Sequence, residues 1–163
     1  MALFIGTVVN KIDRKGRVSV PASFRAALAG QSFNGIVAFP SFKYRALDCC
    51  AFEFMEQMSL SLYDIDAFSN KQDDLAATVF ADAHQIPLDS EGRVMLPAAL
   101  LVHAGIKDMV AFVGQGPRFQ IWEPAARDVF AAAARERANR EGMTLKVRPP
   151  EGAGRSPGGG GES

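Results

Sequence analysis

The feature that most constrains this sequence is a motif that occurs twice. The pattern Asp-x-x-Gly-Arg-x-x-x-Pro stands at residues 13–21 and again at residues 89–97, so every matched residue is offset by 76 positions. At average amino-acid usage, four fixed letters match about once in 10⁵ positions. Two matches in a chain of 163 residues therefore indicate an internal repeat, and the fold must accommodate two related units.

Each copy of the motif predicts a strand, a tight turn, a second strand and a short helix. Asp opens tight turns by accepting hydrogen bonds from nearby backbone amides, and Gly supplies a positive φ. Strand-forming residues flank positions 13–16 on both sides, which predicts a hairpin tip with Gly16 as a bulge residue. A proline after the second strand suits the first turn of a helix. The turn-forming motif residues are Asp13, Gly16, Pro21, Asp89, Gly92 and Pro97.

The remaining segments follow the same order in both halves. A second hairpin is predicted after each motif, and its loop at residues 41–45 is longer than the corresponding loop at 114–117. Between the halves, apolar residues recur at three- and four-residue steps, which predicts an amphipathic helix with a break near residues 69–70. That apolar stripe consists of Phe54, Met58, Leu62, Ile65 and Phe68, and we expect it to pack in the core or between subunits.

Positive charge is concentrated on the first copy of the motif. The whole chain has 18 basic and 18 acidic side chains, so its formal net charge is zero, but residues 10–25 carry five cations against one carboxylate, a net charge of +4. Cations on a protruding turn can contact phosphates, and a two-stranded ribbon fits the major groove of DNA. The candidate DNA contacts are Arg14, Lys15, Arg17, Arg25 and Lys11, with Arg93 as a lesser candidate from the second copy.

A structural role for the two repeat arginines is the alternative. Arg17 and Arg93 each follow their own Asp by four residues, and each could pair with it and lock the turn. The second turn also differs in charge, because Glu91 replaces Lys15 and residues 89–93 carry two carboxylates against one cation, a net charge of −1. Phosphate repels such a turn. We therefore expect the second copy mainly to have a structural role, in the fold and in contacts between subunits.

The sequence predicts no enzyme, metal site or cofactor. Cys49 and Cys50 are adjacent and lie far along the chain from both histidines, which favours reduced strand thiols over a zinc site. Asp13 and Asp89 stand beside turn glycines, which argues against a catalytic carboxylate pair. The glycine run at 158–161 is typical of a linker. We expect no catalytic residues and no small-molecule substrate.

The two motif copies, their spacing and the sequence Gly-Gln-Gly-Pro-Arg-Phe-Gln-Ile-Trp at residues 114–122 resemble the MraZ family over roughly residues 1–140. These are bacterial transcriptional regulators with a tandem swapped-hairpin (AbrB-like) DNA-binding fold. The resemblance implies an α+β protein in which two pseudo-repeated swapped-hairpin units form one small β-barrel with flanking helices. The expected segments are a first repeat at 1–52, a connecting helical segment at 53–80, a second repeat at 81–123, a C-terminal helix at 124–142 and a disordered tail at 148–163.

The resemblance also implies a function. A protein of this kind would be a sequence-specific regulator that binds double-stranded promoter DNA with repeated boxes, at its own promoter in the division and cell-wall gene cluster. One basic turn per subunit binds weakly, so a ring-shaped homo-oligomer would supply the missing valency. An AbrB-type antitoxin-like regulator and a structural ring without DNA binding remain as alternatives.

The N-terminal run at residues 1–9 is apolar but lacks the charged start and the cleavage site of a signal peptide. No apolar stretch reaches the length of a transmembrane helix. We therefore expect a cytoplasmic protein with no membrane partner, and the resemblance to a DNA-binding family implies that it is nucleoid-associated.

Overall fold

A computed structural model of the chain describes residues 2–150, which form a mixed α+β structure. The strands are β1 (Thr7–Lys11), β2 (Arg17–Ser19), β3 (Gly35–Pro40), β4 (Leu47–Cys50), β5 (His84–Pro87), β6 (Arg93–Met95), β7 (Met109–Gly114) and β8 (Phe119–Trp122). The helices are α1 (Ala22–Leu28), α2 (Phe52–Ser61), α3 (Asn70–Leu75), α4 (Ala98–Ala104) and α5 (Pro124–Glu141). The chain divides within α5 into two units, Met1–Phe130 and Ala131–Ser163, and each is described by itself.

Six strands form one antiparallel sheet in the order β1-β7-β8-β4-β3-β5. The two short motif strands, β2 and β6, leave this sheet and pair with each other as a separate antiparallel ribbon. The expected small β-barrel is wrong for the described residues, in which no closed barrel is found. The sheet stays open because β1 and β5 form its two edges and the strands that follow them turn away to pair elsewhere.

The strand on either side of the first turn pairs with the second half of the chain. β1 lies against β7, with Thr7 opposite Val113, and β2 lies against β6, with Val18 opposite Val94. The expected hairpin between the two motif strands is therefore reduced to a tight turn with one isolated bridge, Ile12 to Val18. The second half behaves in the same way, because β5 pairs with β3 of the first half.

Backbone hydrogen bonds between the two turns hold this exchange in place. The carbonyl of Gly16 accepts from the amide of Leu96 at 2.8 Å, and the carbonyl of Gly92 accepts from the amide of Val20 at 3.0 Å. These two bonds are equivalent under the 76-residue offset. Val18 and Val94, which are also equivalent, face each other at the centre of the ribbon. The ribbon therefore has an approximate twofold relation between the repeats.

One face of the large sheet packs against the ribbon and the helices α1 and α4. Four phenylalanines form the centre of this core, with Phe4 and Phe119 rings 4.8 Å apart and Phe24 and Phe119 rings 5.1 Å apart. Phe112 completes the group, and all four side chains are essentially inaccessible to solvent. Burial of one such side chain contributes about 1.5–3 kcal/mol, so this cluster is a main source of stability.

The other face of the sheet is covered in two separate places. The helical segment between the halves packs Met55 and Val79 onto Val37 and Phe39. At the opposite side, Trp122 stacks on Phe130 with ring centroids 4.9 Å apart. The Trp122 side chain thus anchors the first turns of α5 on the sheet, as its place before that helix suggests.

The connecting segment is helical but interrupted. After α2 the chain forms a 3-10 turn at Leu62–Asp64, and after α3 it forms a π-helical turn at Ala76–Ala81. Ser69 caps α3 by accepting a hydrogen bond from the amide of Gln72. Phe68 does not continue the apolar stripe, because its φ of 63° ends the regular spacing and leaves 94% of its surface exposed.

The C-terminal unit is described only as far as residue 150. Its residues up to Glu141 complete α5, and residues 143–150 form no regular secondary structure. Most of the tail expected to be disordered, 151–163, lies outside the described residues. The segment boundaries expected from the sequence remain predictions.

The close approach of Leu96 to the first turn predicts that two glycine-to-alanine substitutions will differ in their effect on stability. Gly16 and Gly30 both have a positive φ, of 86° and 80°. A Cβ at Gly16 would lie 2.7 Å from the carbonyl oxygen of Leu96, whereas a Cβ at Gly30 meets nothing within 4 Å. We expect Gly30→Ala to lower the free energy of unfolding by about 1–2 kcal/mol from backbone strain alone. Gly16→Ala should lower the free energy of unfolding further than Gly30→Ala does, as measured by urea unfolding. An equal decrease in both variants would contradict the role of this contact between the repeats.

Candidate nucleic-acid interface

The first turn is held together by its own aspartate. Asp13 Oδ1 accepts hydrogen bonds from the backbone amides of Lys15 at 2.9 Å and Arg17 at 2.8 Å. Its second oxygen accepts from Nε of Arg17 at 2.7 Å. The amide of Arg17, then its guanidinium and the amide of Lys15, hold the pKa of Asp13 below its ordinary value. The aspartate therefore fixes both the backbone of the turn and the direction of the Arg17 side chain.

The second turn repeats this geometry with different charges. Asp89 accepts from the amides of Glu91 and Arg93, each at 2.9 Å, and from Nε of Arg93 at 3.0 Å. The amide of Arg93 is the main cause of the lowered pKa of Asp89, and the hydrogen bond to Asp89 raises the pKa of Arg93. Arg93 also lies 3.5 Å from a carboxylate oxygen of Glu91. The locking role considered for both arginines is thus present in both turns.

The ribbon carries the two arginines on one exposed surface. Val18 and Val94 point into the core, and the alternation along each strand turns their neighbours outward. Cross-strand pairing places Arg17 opposite Met95 and Arg93 opposite Ser19. We call these four residues, Arg17, Ser19, Arg93 and Met95, the ribbon face.

Three of the predicted cations extend the ribbon face at its first turn. Arg14 and Lys15 occupy the turn itself, and Lys11 ends β1 two residues before it. All three side chains are exposed, and none of them forms an ion pair with a residue in the 2–150 range. β1 is joined to the ribbon by Asn10, whose side-chain amide donates to the carbonyl of Ser19 at 2.8 Å.

Arg25 belongs to the first copy of the motif, but it lies beside the second turn. Its Nε donates to the carbonyl of Val20 at 3.1 Å, and its side chain passes over the second turn. A Cβ at Gly92 would come within 2.8 Å of the Arg25 Cδ atom. The reason is the exchange of strands, which carries α1 across to the turn of the other repeat. Arg25 thus places a cation beside the acidic turn that contains Glu91.

The matching position in the second repeat is apolar. Leu101 is offset from Arg25 by 76 residues, and its Cδ1 would lie 3.7 Å from a Cβ at Gly16. Each end of the ribbon is therefore made from the turn of one repeat and the helix of the other. Sequence reasoning missed the contributions of Ser19, Met95 and Leu101. The constant offset could have indicated Leu101, but it does not indicate that the helices exchange turns.

The other groups considered from the sequence take structural places. Cys49 and Cys50 are free, buried thiols on β4, and burial raises the pKa of both, that of Cys50 to about 12. Within residues 2–150, no group of three or more His, Cys, Asp or Glu side chains is placed to hold a metal ion. No helix in the same range is long and apolar enough to cross a membrane.

Comparison with known proteins identifies the family. A family model described as "MraZ protein, putative antitoxin-like" matches residues 79–146. A protein of Pelagibacter ubique (strain HTCC1062), named Transcriptional regulator MraZ, is 44% identical over 144 residues, which cover 88% of this chain and 93% of that protein. The chain belongs to the MraZ family.

Other MraZ proteins match over a similar span. Proteins of Rickettsia bellii (strain OSU 85-389) and Rickettsia canadensis (strain McKiel) carry the same name and are 40% and 38% identical over 147 and 146 residues. Each alignment covers 90% of this chain and 98% of the relative. The alignments therefore extend over nearly the whole length of these MraZ proteins and are not confined to one repeat.

The lowered pKa values of the turn aspartates predict an acid-sensitive ribbon. A carboxyl whose pKa is lower in the folded state stabilises that state at pH values above its unfolded pKa of about 3.9. This contribution is lost as the pH falls through the folded-state pKa values of Asp13 and Asp89. The variant Asp13→Asn/Asp89→Asn should therefore unfold more readily at pH 7, and its stability should change less than that of the native chain between pH 4 and pH 2.

Thermal unfolding followed by circular dichroism across this pH range measures the difference. Asp128→Asn is the control, because Asp128 is a well exposed carboxylate on α5 that takes no part in either turn. Identical pH profiles for the native chain and the double variant would contradict the role assigned to the two aspartates.

Proposed function

We propose that this chain regulates transcription by binding double-stranded DNA through the ribbon face and the first turn. The observation that carries the proposal is the ribbon itself, a two-stranded element with one buried face and an outer face that bears Arg17 and Arg93. A two-stranded β-ribbon can enter the major groove, where arginine recognises guanine by paired hydrogen bonds. The names of the relatives, Transcriptional regulator MraZ, support the same function.

The two ribbon arginines and the cations of the first turn have different roles in this proposal. Asp13 and Asp89 hold the Nε atoms of Arg17 and Arg93, so the two side chains are oriented before DNA arrives. Such preorganisation suits the reading of base edges, since less freedom is lost on binding. Arg14, Lys15 and Lys11, which form no ion pair within residues 2–150, suit the phosphates that flank the groove; these phosphates position the protein but carry no sequence information.

The partner DNA follows from the family resemblance. We propose that it is the promoter of the gene's own operon, in the division and cell-wall cluster, with repeated boxes that a ring of subunits engages together. The pairings β2–β6, β1–β7 and β5–β3 support a swapped-hairpin arrangement of the two repeats.

A free sheet edge supports the association of subunits. β1 pairs with β7 on one side, and within residues 2–150 no strand pairs with its other side. The exposed apolar residues along and just before it include Ile5 and Val9. An open edge of this kind readily accepts another chain, and several linked turns would bind repeated boxes far more tightly than one.

Removal of the two exposed cations of the first turn tests the proposal. For each phosphate contact, the logarithm of the binding constant falls by about 0.9 for every tenfold rise in salt concentration. One contact is therefore worth nearly tenfold in affinity at 0.1 M salt. We expect Arg14→Ala/Lys15→Ala to weaken binding to the DNA upstream of this gene by about tenfold to a hundredfold and to reduce its salt dependence. Arg17 stays in place, because its loss would also unlock the turn.

The measurement is a fluorescence anisotropy titration against upstream and scrambled DNA, with subunit number checked by light scattering. Arg135→Ala/Arg137→Ala is the matched control, since it removes two exposed cations of the C-terminal unit. Loss of binding at unchanged oligomer size, in the turn variant alone, would support the proposal. Equal and weak binding of all proteins to both DNAs would overturn it and favour a structural ring. DNA binding accompanied by capture of a toxin would favour the antitoxin-like alternative.

A gain of affinity tests whether the second turn also touches DNA. Glu91 is the counterpart of Lys15, its side chain is exposed, and Arg25 already lies beside its turn. We expect Glu91→Lys to raise affinity by about tenfold at 0.1 M salt, because it turns a repulsion into a phosphate contact.

The control for this gain is Glu136→Lys, which changes the net charge equally at an exposed position of α5. Equal effects of the two substitutions would indicate only nonspecific attraction. Unchanged affinity in Glu91→Lys would place the second turn away from the DNA and leave the first turn as the single contact.

A further inference from the structure

A cleft opens on the sheet face that points away from the ribbon. It has a volume of about 260 Å³ and lies between the connecting helical segment, which contributes Met58 and Val79, and the start of α5, which contributes Phe130. Its floor is formed by the central strands β3, β4 and β8. Its remaining walls are two loops, the stretch at residues 41–45 that is longer than its counterpart in the second repeat, and the turn between β7 and β8, which contributes Gln115 and Arg118.

A chain of hydrogen bonds fixes a carboxylate in the floor of this cleft. Asp48 on β4 and Gln120 on β8 are direct cross-strand neighbours. The indole nitrogen of Trp122 donates to the Gln120 side-chain oxygen at 2.8 Å, so the amide nitrogen of Gln120 points to Asp48 and donates to its Oδ1 at 3.1 Å. Both polar residues are buried, Asp48 with 8% and Gln120 with 4% of its surface exposed. The carboxylate is thus held in one orientation.

The second oxygen of this carboxylate has no partner in the described chain. Within residues 2–150, no hydrogen bond or ion pair reaches Oδ2 of Asp48. Two cations, Arg118 and Lys43, line the same cleft, yet neither comes within 4 Å of it as an ion pair. Oδ2 is not among the fully buried polar atoms, so it is open to the cleft and can be reached by a ligand. The cleft therefore presents one negative and two positive groups that do not satisfy each other.

The walls between these charged groups are aromatic. Phe42, Tyr44 and Phe130 line the cleft, and the Tyr44 and Phe130 rings pack edge to face at 4.8 Å. The loop that carries Tyr44 is held in shape by Ser41, whose hydroxyl accepts from the amides of Lys43 and Tyr44. Sites for drug-sized ligands begin near about 300 Å³, so this cleft suits a molecule about the size of an amino acid.

We propose that this cleft binds a small zwitterion, a molecule with an ammonium group, a carboxylate and an apolar body, of the class of the α-amino acids. The ammonium group would meet Oδ2 of Asp48, and the carboxylate would meet Arg118 and Lys43. The apolar body would lie against the aromatic wall. This site does not depend on the DNA function, because it lies on the opposite face of the sheet and uses none of the ribbon residues.

The protein carries its own reporter for the experiment. Trp122 is the single tryptophan of the chain, and it donates the hydrogen bond that orients Gln120 toward Asp48. Intrinsic fluorescence of the full-length protein can therefore be titrated with L-phenylalanine, and with two analogues that each lack one charge, 3-phenylpropionate and phenethylamine. We expect saturable binding of L-phenylalanine. Each analogue should bind at least about tenfold more weakly than L-phenylalanine, because it leaves one charged group of the cleft without a partner.

Two substitutions test which side chain binds the ammonium group of the ligand and which binds its carboxylate. Asp48→Asn should remove the advantage of L-phenylalanine over 3-phenylpropionate, and Arg118→Gln should remove its advantage over phenethylamine. Asp128→Asn, at an exposed carboxylate outside the cleft, should leave all three titrations unchanged. Thermal unfolding verifies that each variant is folded, and Arg118→Gln decides the matter if Asp48→Asn does not fold.

Absence of saturable binding of all three probes up to millimolar concentration would overturn the proposal. Unchanged affinities in both Asp48→Asn and Arg118→Gln would do the same, because binding would then occur elsewhere on the protein.

Discussion

The structure depends on a reciprocal pair of backbone hydrogen bonds between the two turns. The carbonyl of each turn glycine accepts from the strand of the other repeat, Gly16 from Leu96 and Gly92 from Val20. Neither bond can form within one repeat, because donor and acceptor belong to different copies of the motif. The ribbon and the buried faces of α1 and α4 follow from this exchange. Neither repeat could therefore bury its apolar face alone.

The exchange also explains how two related turns can tolerate opposite charge. The first turn is basic and lies beneath the apolar Leu101, whereas the second is acidic and lies beneath Arg25. Helix α4 thus places an apolar side chain beside the basic turn, and α1 places a cation beside the acidic turn. Divergence of the two copies has thus produced two composite ends, and the charge of an end cannot be read from one copy of the motif.

The sequence predicted what is decided locally. The contacts of Asp13 lie within four residues of it, so the turn and the alternative role of Arg17 could be foreseen, as could most of the helices and the second hairpins. The partners of β1 and β2 could not, because a strand pattern gives the face that is buried but not the strand that pairs with it. For the same reason the sequence does not predict that Arg25 lies beside the second turn, and the expected barrel is an open sheet in the described residues. The cleft at Asp48 was missed because its carboxylate and Gln120 meet only through cross-strand pairing.

The pairing of β1 with β7 has a consequence for folding during synthesis. Strand Thr7–Lys11 is synthesised about a hundred residues before its partner Met109–Gly114. At about 5–20 residues per second, this interval lasts about 5–20 s. During that time the nascent chain carries an unpaired strand with Val8 and Val9, and its central ribbon lacks one of its two strands. The sheet and the ribbon therefore cannot be completed before residue 114 has been synthesised, and a neighbouring nascent copy could supply the missing strand first.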